Sequence, residues 1–175
     1  RRQTENGIAK YDIAQIDIHD DYVMWQAEIL RTLTKIHLYY YPERIDKYGV
    51  HKPVVHLHTL AHPLYSTIYR RFYIEGKKQV SPQDLKLLDW EVAAIHMMDD
   101  GHLQVRQRGN KQQIIISLYT NGFTFGDVRL LQEAYKEKLG IPFSIDRRKT
   151  KNDTYQYTLR TNSDKAKLFI EGIQP

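Results

Sequence analysis

The chain of 175 residues is long enough to bury a core as one domain or two small ones, and with no Cys it excludes a disulfide framework, a Cys-ligated zinc centre and a thiol nucleophile. No apolar run approaches the roughly 18–20 residues of a membrane span, and residues 1–20 lack the apolar centre of a signal peptide, so a soluble, intracellular protein with no membrane partner is expected. Lys and Arg number 26 against 21 Asp and Glu, and the net charge of +5 favours a polyanionic partner only weakly.

Period-two alternation over residues 8–18 predicts a strand, with Ile8, Ile16 and Ile18 among its apolar positions. A helix over about 19–34 follows, capped by Asp20 or Asp21, with Tyr22, Trp25, Ile29 and Leu33 on one apolar face. Stretches 35–45 and 53–60 predict a hairpin turning near Tyr48-Gly49. The next helix begins at His62-Pro63 and carries Leu64, Ile68 and Phe72 until Gly76 stops it. Residues 88–103, LDWEVAAIHMMDDGHL, read as a helix that ends in Asp99-Asp100-Gly101 and runs straight into a strand. Beyond it, 102–108 and 112–120 predict a hairpin around Gly109-Asn110, and a helix over 124–139 lies between a Thr124 cap and a Gly140 stop. A last hairpin, 142–149 with 153–161, precedes a helix capped by Ser163.

The second half repeats the order of the first. Gln15 set against Asn121 and Leu33 against Leu139 gives an offset of 106, and Thr59 against Thr161 gives 102. The chain therefore reads as a duplication of ββαββα units about a pseudo-twofold axis, one unit at 1–87 and the other at 88–175.

Basic residues gather in extended stretches: Arg106, Arg108 and Lys111; Arg147, Arg148, Lys149 and Lys151; and Arg70, Arg71, Lys77 and Lys78. Such a face, interleaved with Tyr, fits either a nucleic-acid surface or solvated strand ends. Alternation places His102, Gln104, Arg106 and Arg108 opposite Leu103 and Val105. On the following strands, a core of Ile114, Ile116 and Leu118 leaves Gln113, Ser117 and Tyr119 outward, and one of Tyr155, Tyr157 and Leu159 leaves Gln156, Thr158 and Arg160 outward. Arg and Gln so spaced can pair bidentately with guanine and adenine edges in a major groove. Within the 88–103 helix, Ala93-Ala94 would let another helix approach closely. Asp99 and Asp100 stand at the negative end of the helix dipole, which disfavours each by a few tenths to about 1 kcal/mol and asks for a cation. Asp-Asp-Gly also fits a plain turn. His56 and His58 share a strand face without an evident third zinc ligand and read as surface or DNA-facing, and His96 reads as packed. Asp20 and Asp21 suit a helix start better than a cation site shared with Asp12 and Asp17. No phosphate-cradling Gly-rich loop or Ser nucleophile elbow is present.

The segment AAIHMMDDG, residues 93–101, resembles the nine-residue motif of the LAGLIDADG homing endonucleases. The flanks extend the likeness: His62-Pro63-Leu64-Tyr65, Phe72-Tyr73, Gly76-Lys77-Lys78, Val80 and Met98-Asp99-Asp100-Gly101 stand at the spacings of one branch of that family. The resemblance implies an α+β fold of two αββαββα units, with motif helices packed at the pseudo-twofold axis and two antiparallel sheets forming a DNA-binding saddle. It implies hydrolysis of phosphodiester bonds in a double-stranded DNA target of about 20 base pairs, two helical turns. In it Asp100 stands for the acid that ligates a divalent metal, Mg²⁺ or another such as Mn²⁺ or Ca²⁺, and Asp99 offers its carbonyl. Lys78, or else Lys77, stands for the active-site cation. Gln15 aligns with the glutamine that organises water, and Asn121 occupies the matching place in the second half. The alternative is a relative of the same fold that binds DNA, or serves intron RNA splicing as a maturase, without cutting.

A two-unit member needs two motif helices, and this chain shows one. The offset of 106 sets the first acid about six residues before Arg1, and the offset of 102 sets a second lysine about five residues past Pro175. The expectation is a first motif in a segment preceding Arg1, with a separately encoded N-terminal fragment or a degenerate binder as the alternatives, and poor cleavage by the chain alone.

Overall fold

The computed structural model describes residues 2–3, 8–16, 19–47 and 49–174; the expected strand end at Asp17-Ile18 and the turn residue Tyr48 lie outside them, as do the side chains of Arg2, Gln3, Ile16 and Arg108. The chain divides into two compact units, Arg1–Arg71 and Phe72–Pro175.

The first unit runs β1 (Arg2–Gln3), β2 (Ala9–Lys10), β3 (Asp12–Ile16), α1 (Asp20–Arg31), β4 (Ile36–Tyr41), β5 (Arg44–Asp46), β6 (Gly49–His51), β7 (Val54–Thr59) and α2 (Pro63–Phe72), the last residue of which opens the second unit. Its main sheet is antiparallel in the order β3-β7-β4, and β5 and β6 form a small ribbon on the β4–β7 connection. Val55 and Leu57 alternate into the core against Val23 and Ala27 of α1. The buried stripe of α1 is therefore Val23, Gln26 and Ala27, and the expected face is displaced: Trp25, Ile29 and Leu33 remain 38 to 48% exposed. Both stripes have helical spacing, and the sheet selects the one whose smaller side chains allow close approach. The N-cap of α1 is His19, which makes no capping bond, and Asp20 and Asp21 occupy the first turn, where the helix dipole favours them.

The second unit opens with the ribbon β8 (Tyr73–Ile74) and β9 (Lys77–Lys78), then α3 (Pro82–Leu85), α4 (Trp90–Asp100), β10 (Gly101–Arg108), β11 (Lys111–Tyr119), α5 (Phe125–Leu139), β12 (Ser144–Lys149), β13 (Tyr155–Asn162) and α6 (Ser163–Ile173). Gly76 does not stop α2, which ends at Phe72. With Glu75 at φ 49° and Gly76 at φ 76°, the two form the turn of the ribbon, and positive φ at both central residues is what a tight hairpin turn demands. Thr124 and Gly140 bound α5 as expected, through a reciprocal cap with Asp127 and a left-handed glycine. Ser163 is the first residue of α6 at φ 56° and caps nothing; Asn162 holds the N-cap position. The sheet order is β10-β11-β13-β12, all antiparallel, and Ile116, Leu118 and Leu159 pack against Val128, Leu131, Tyr135 and Phe169.

The order β3-β7-β4 repeats in β11-β13-β12, and α1 and α5 follow the first strand of each set. The ladders revise one equivalence. Gln15 opposes Val55, and the Thr120 N–H donates to the Tyr157 carbonyl just past β11. With Thr59 matched to Thr161, Val55 matches Tyr157, so the backbone counterpart of Gln15 is buried Thr120, one residue before Asn121. The compact units also part earlier than the expected 87/88 boundary. Residues 72–87 join the second unit because the Val80 N–H donates to Asp127 Oδ1 at 3.1 Å and Lys138 Nζ donates to the Lys86 carbonyl.

Candidate functional site

Cross-strand partners share a sheet face, so the registers of the second unit decide which side chains stand together. One row joins His102, Ser117, Arg160 and Ser144; a second joins Gln104, Ile115 and Asn162; Arg106 pairs with Gln113, Tyr119 with Thr158 and Asp146, and Gln156 with Arg148. All of the residues expected to face outward thus lie on one face, save that the Arg108 side chain is outside the described residues. The opposite face holds Leu103, Val105, Ile114, Ile116 and Leu118. Leu103 and Val105 nevertheless remain about half exposed, at 46% and 51%, because β10 is the edge strand and the helices cover the sheet's middle.

Four members of the polar face were missed in the sequence, Ser144 among them. Ile115 is buried there at 3% exposure, Asn162 stands beside it, and Asp146 accepts from Arg160 Nη1 at 3.0 Å. Arg160 therefore starts out paired, whereas Arg106 and Arg148 are exposed. The basic run 147–149 splits by alternation: Arg147 turns to the other face, its guanidinium 3.4 Å from the centroid of the Tyr155 ring.

The edge strand of this face leads directly out of α4. The Gly101 N–H bonds to the Met97 carbonyl, and Gly101 is extended at φ −91°, so the helix passes into β10 without a loop. A Cβ at Gly101 would lie 2.3 Å from the Met97 carbonyl oxygen and 2.3 Å from its sulfur, which leaves glycine as the residue that fits. Asp99 and Asp100 are exposed at this helix end. Among the described residues no ion pair engages Asp100.

The ribbon brings the two lysines to different surroundings. Lys78 is half-buried, with its ammonium 4.8 Å from the Phe123 ring centroid and its stem beside Gly122; Lys77 is exposed. One turn before Asp100, His96 Nδ1 lies 3.0 Å from the Tyr135 hydroxyl. Burial pushes the imidazole pKa below its ordinary value, the Asp100 charge opposes this, and the Lys78 charge adds to it. Asp100 and Lys78 thus act on the same imidazole. Asn121 is exposed in the turn next to Gly122, and Gln15 is half-buried on β3 of the first unit. His56 and His58 stack at 5.7 Å, and His58 Nδ1 meets Asp12 Oδ1 at 2.8 Å. Among the described residues no three His, Asp or Glu side chains gather as a complete metal site, and no helix is long and apolar enough to cross a membrane.

The sequence pattern of the LAGLIDADG DNA endonuclease family matches residues 1–169. The chain belongs to that family. Two curated relatives of this LAGLIDADG chain are the uncharacterized protein MJ1098 of Methanocaldococcus jannaschii and the cytochrome b mRNA maturase bI2 of Debaryomyces hansenii. The first is 29% identical over 139 residues, 79% of this chain and 50% of that protein. The second is 26% identical over 133 residues, 75% of this chain and 46% of the maturase. The chain spans about half the length of the curated relatives it matches. The homing endonuclease I-WcaI, solved bound to its DNA recognition sequence, superposes with a TM-score of 0.74 at 18% identity, covering 99% of this chain and 73% of that one. The fold is accordingly the α+β fold of a homing endonuclease.

Proposed function

We propose that this LAGLIDADG chain acts in a sequence-specific homing endonuclease that hydrolyses phosphodiester bonds of double-stranded DNA with divalent metal ions. The observation that carries the reading is the continuity of the polar face of β10–β13 with the acidic end of α4, since β10 is at once the edge of that face and the continuation of the helix. Arg106, Gln104 and Gln113 have the donors and acceptors to read base edges, and His102, Ser117, Tyr119, Arg148, Gln156, Thr158 and Arg160 surround them for groove or phosphate contacts.

Asp100 suits a hard cation such as Mg²⁺: it is an exposed oxygen donor outside any ion pair among the described residues, at a helix end whose carbonyls attract positive charge. Asp99 would lend its carbonyl, and phosphate and water oxygens would complete the shell. Such an ion supplies charge at the scissile phosphate and a more acidic water. Lys78, held against Phe123, stabilises the charge that grows on the phosphate oxygens, and its half-buried stem makes it the better candidate over exposed Lys77. Asn121 offers an amide for orienting water.

A second reading, a splicing maturase that binds intron RNA, is favoured by the similarity to the Debaryomyces hansenii maturase. Selection from a randomised duplex library with the full-length protein separates the two. The endonuclease reading expects a recovered site of about 20 base pairs, two helical turns. Arg106→Ala should then lose about 1–3 kcal/mol and relax the preference at one or two positions. Uniformly weaker binding to all sequences would make Arg106 a phosphate anchor. No enriched duplex, with tight retention of structured intron RNA, would favour the maturase.

A further inference from the structure

His96 is the half-buried polar group of α4 to which the reading above gives no task. Its partner Tyr135 is fully buried and packs 5.0 Å from Phe143 and 6.2 Å from Phe169, and Phe169 meets Trp90 at 6.3 Å. An aromatic row therefore runs beneath α4 from its first residue to its last turn, and His96 closes it one turn before Asp100. The imidazole meets the Tyr135 hydroxyl at 3.0 Å, and the backbone of Tyr119, the last residue of β11, favours its protonated form. A neutral ring satisfies both when the Tyr135 O–H donates to Nδ1 and Nε2–H donates to the Tyr119 carbonyl. In that arrangement both ring nitrogens are engaged and the tautomer is set. Among the described residues Asp100 and Lys78 do not pair with each other, although both charges reach His96.

We propose that His96 is the positioning residue of this site: clamped between Tyr135 and the Tyr119 backbone, it sets the rotation of the last turn of α4 and hence the direction of Asp100, and it holds Asp100 apart from Lys78. The proposal rests on the reading of Asp100 as the metal-holding acid. Without the clamp, the carboxylate and ammonium are free to collapse into an ion pair that withdraws both from the phosphate.

The test compares His96→Leu, Tyr135→Phe and His96→Gln in the full-length protein by two readouts. One is Mn²⁺ affinity without DNA, measured by electron paramagnetic resonance as the binding that Asp100→Asn removes; the other is single-turnover cleavage of the selected duplex. Folded His96→Leu and Tyr135→Phe should weaken Mn²⁺ binding and slow cleavage about 10- to 100-fold, with duplex affinity little changed. His96→Gln, which can accept from Tyr135 and donate to Tyr119, should recover most of both. Wild-type Mn²⁺ affinity and rate in both damaging variants would reduce His96 to packing, and a His96→Gln as impaired as His96→Leu would overturn the two-bond clamp. If His96→Leu fails to fold, Tyr135→Phe decides, because it removes one hydroxyl and no volume from the core. A wild-type protein with no Asp100-dependent Mn²⁺ binding and no cleavage would overturn the reading of Asp100 itself, and this proposal with it.

Discussion

Gly101→Ala tests the junction that presents Asp100. An added Cβ would lie 2.3 Å from the Met97 carbonyl oxygen, 2.3 Å from its sulfur and 2.7 Å from its Cα. Ordinary contacts are about 3.5–4.0 Å, so the overlap exceeds about 1 Å. The thioether can swing aside, but the carbonyl and Cα belong to the last turn of α4. Because φ is −91°, the strain is steric and not conformational. Relief requires opening the turn and stretching the bond from the Gly101 N–H to Met97. Overpacking of this kind costs about 1–3 kcal/mol and the weakened bond about 0.5–1.5 kcal/mol. At roughly 2–4 °C per kcal/mol for a chain of this size, Tm should fall by about 3–18 °C. Gly126→Ala is the control: its Cβ would sit 3.7 Å from Thr124 Oγ1, an ordinary contact, within the first turn of α5. It should stabilise by up to about 1 kcal/mol. Thermal unfolding by circular dichroism without divalent ions reads both. A Gly101→Ala protein as stable as the wild type, or as Gly126→Ala, would refute the crowded helix-to-strand passage.

The remaining predictions are more local. Lys78→Ala should slow single-turnover cleavage about 100-fold or more with a smaller effect on affinity, while Lys77→Ala stays near wild type; equal effects of the two would remove the distinction drawn from their burial. His96 also gives stability a pH dependence. Its folded-state pKa lies below the ordinary value of about 6.5, so above that pH both states are neutral and nothing is gained or lost. Below it the unfolded chain takes up a proton that the folded chain resists, and stability falls until the folded-state value is reached. Between pH 7.5 and 5.5 the loss from this group is at most about 1.4 kcal/mol. Urea midpoints of wild type and His96→Gln should therefore diverge in pH slope below about 6.5, and parallel slopes would contradict the burial of a neutral ring.

The parts of the fold that could be read from residues were those with local signals. Thr124 and Gly140 bound α5 because an N-cap hydroxyl and a left-handed glycine act within a turn of the chain, and Gly109-Asn110 turns β10 into β11 for the same reason. Alternation collected Gln104, Arg106, Gln113 and Ser117 on one face because the apolar set Ile114, Ile116 and Leu118 must turn to the core and so fixes the register. Failures came where one local signal serves two structures. Gly76 suits a helix stop and a hairpin turn equally, because both require positive φ. Two stripes of α1 have helical spacing, and only packing against Val55 and Leu57 selects between them. The clamp on His96 was invisible for a different reason: Tyr135 lies 39 residues away, and nothing near the motif marks it. The pairing of Arg160 with Asp146 likewise follows from sheet register and not from sequence spacing.

The central claim, that Asp100 is the metal-holding acid of a DNA-cutting site beside a reading face, is tested most directly by single-turnover cleavage of the selected duplex by wild type and Asp100→Asn at equal DNA occupancy, with and without Mg²⁺. The account predicts Mg²⁺-dependent cleavage by the wild-type protein and its loss in Asp100→Asn, although the variant binds the duplex and unfolds at the same or slightly higher temperature, since a carboxylate at a helix C-terminus is unfavourable by a few tenths to about 1 kcal/mol. Cleavage by a folded Asp100→Asn protein at the wild-type rate would contradict it.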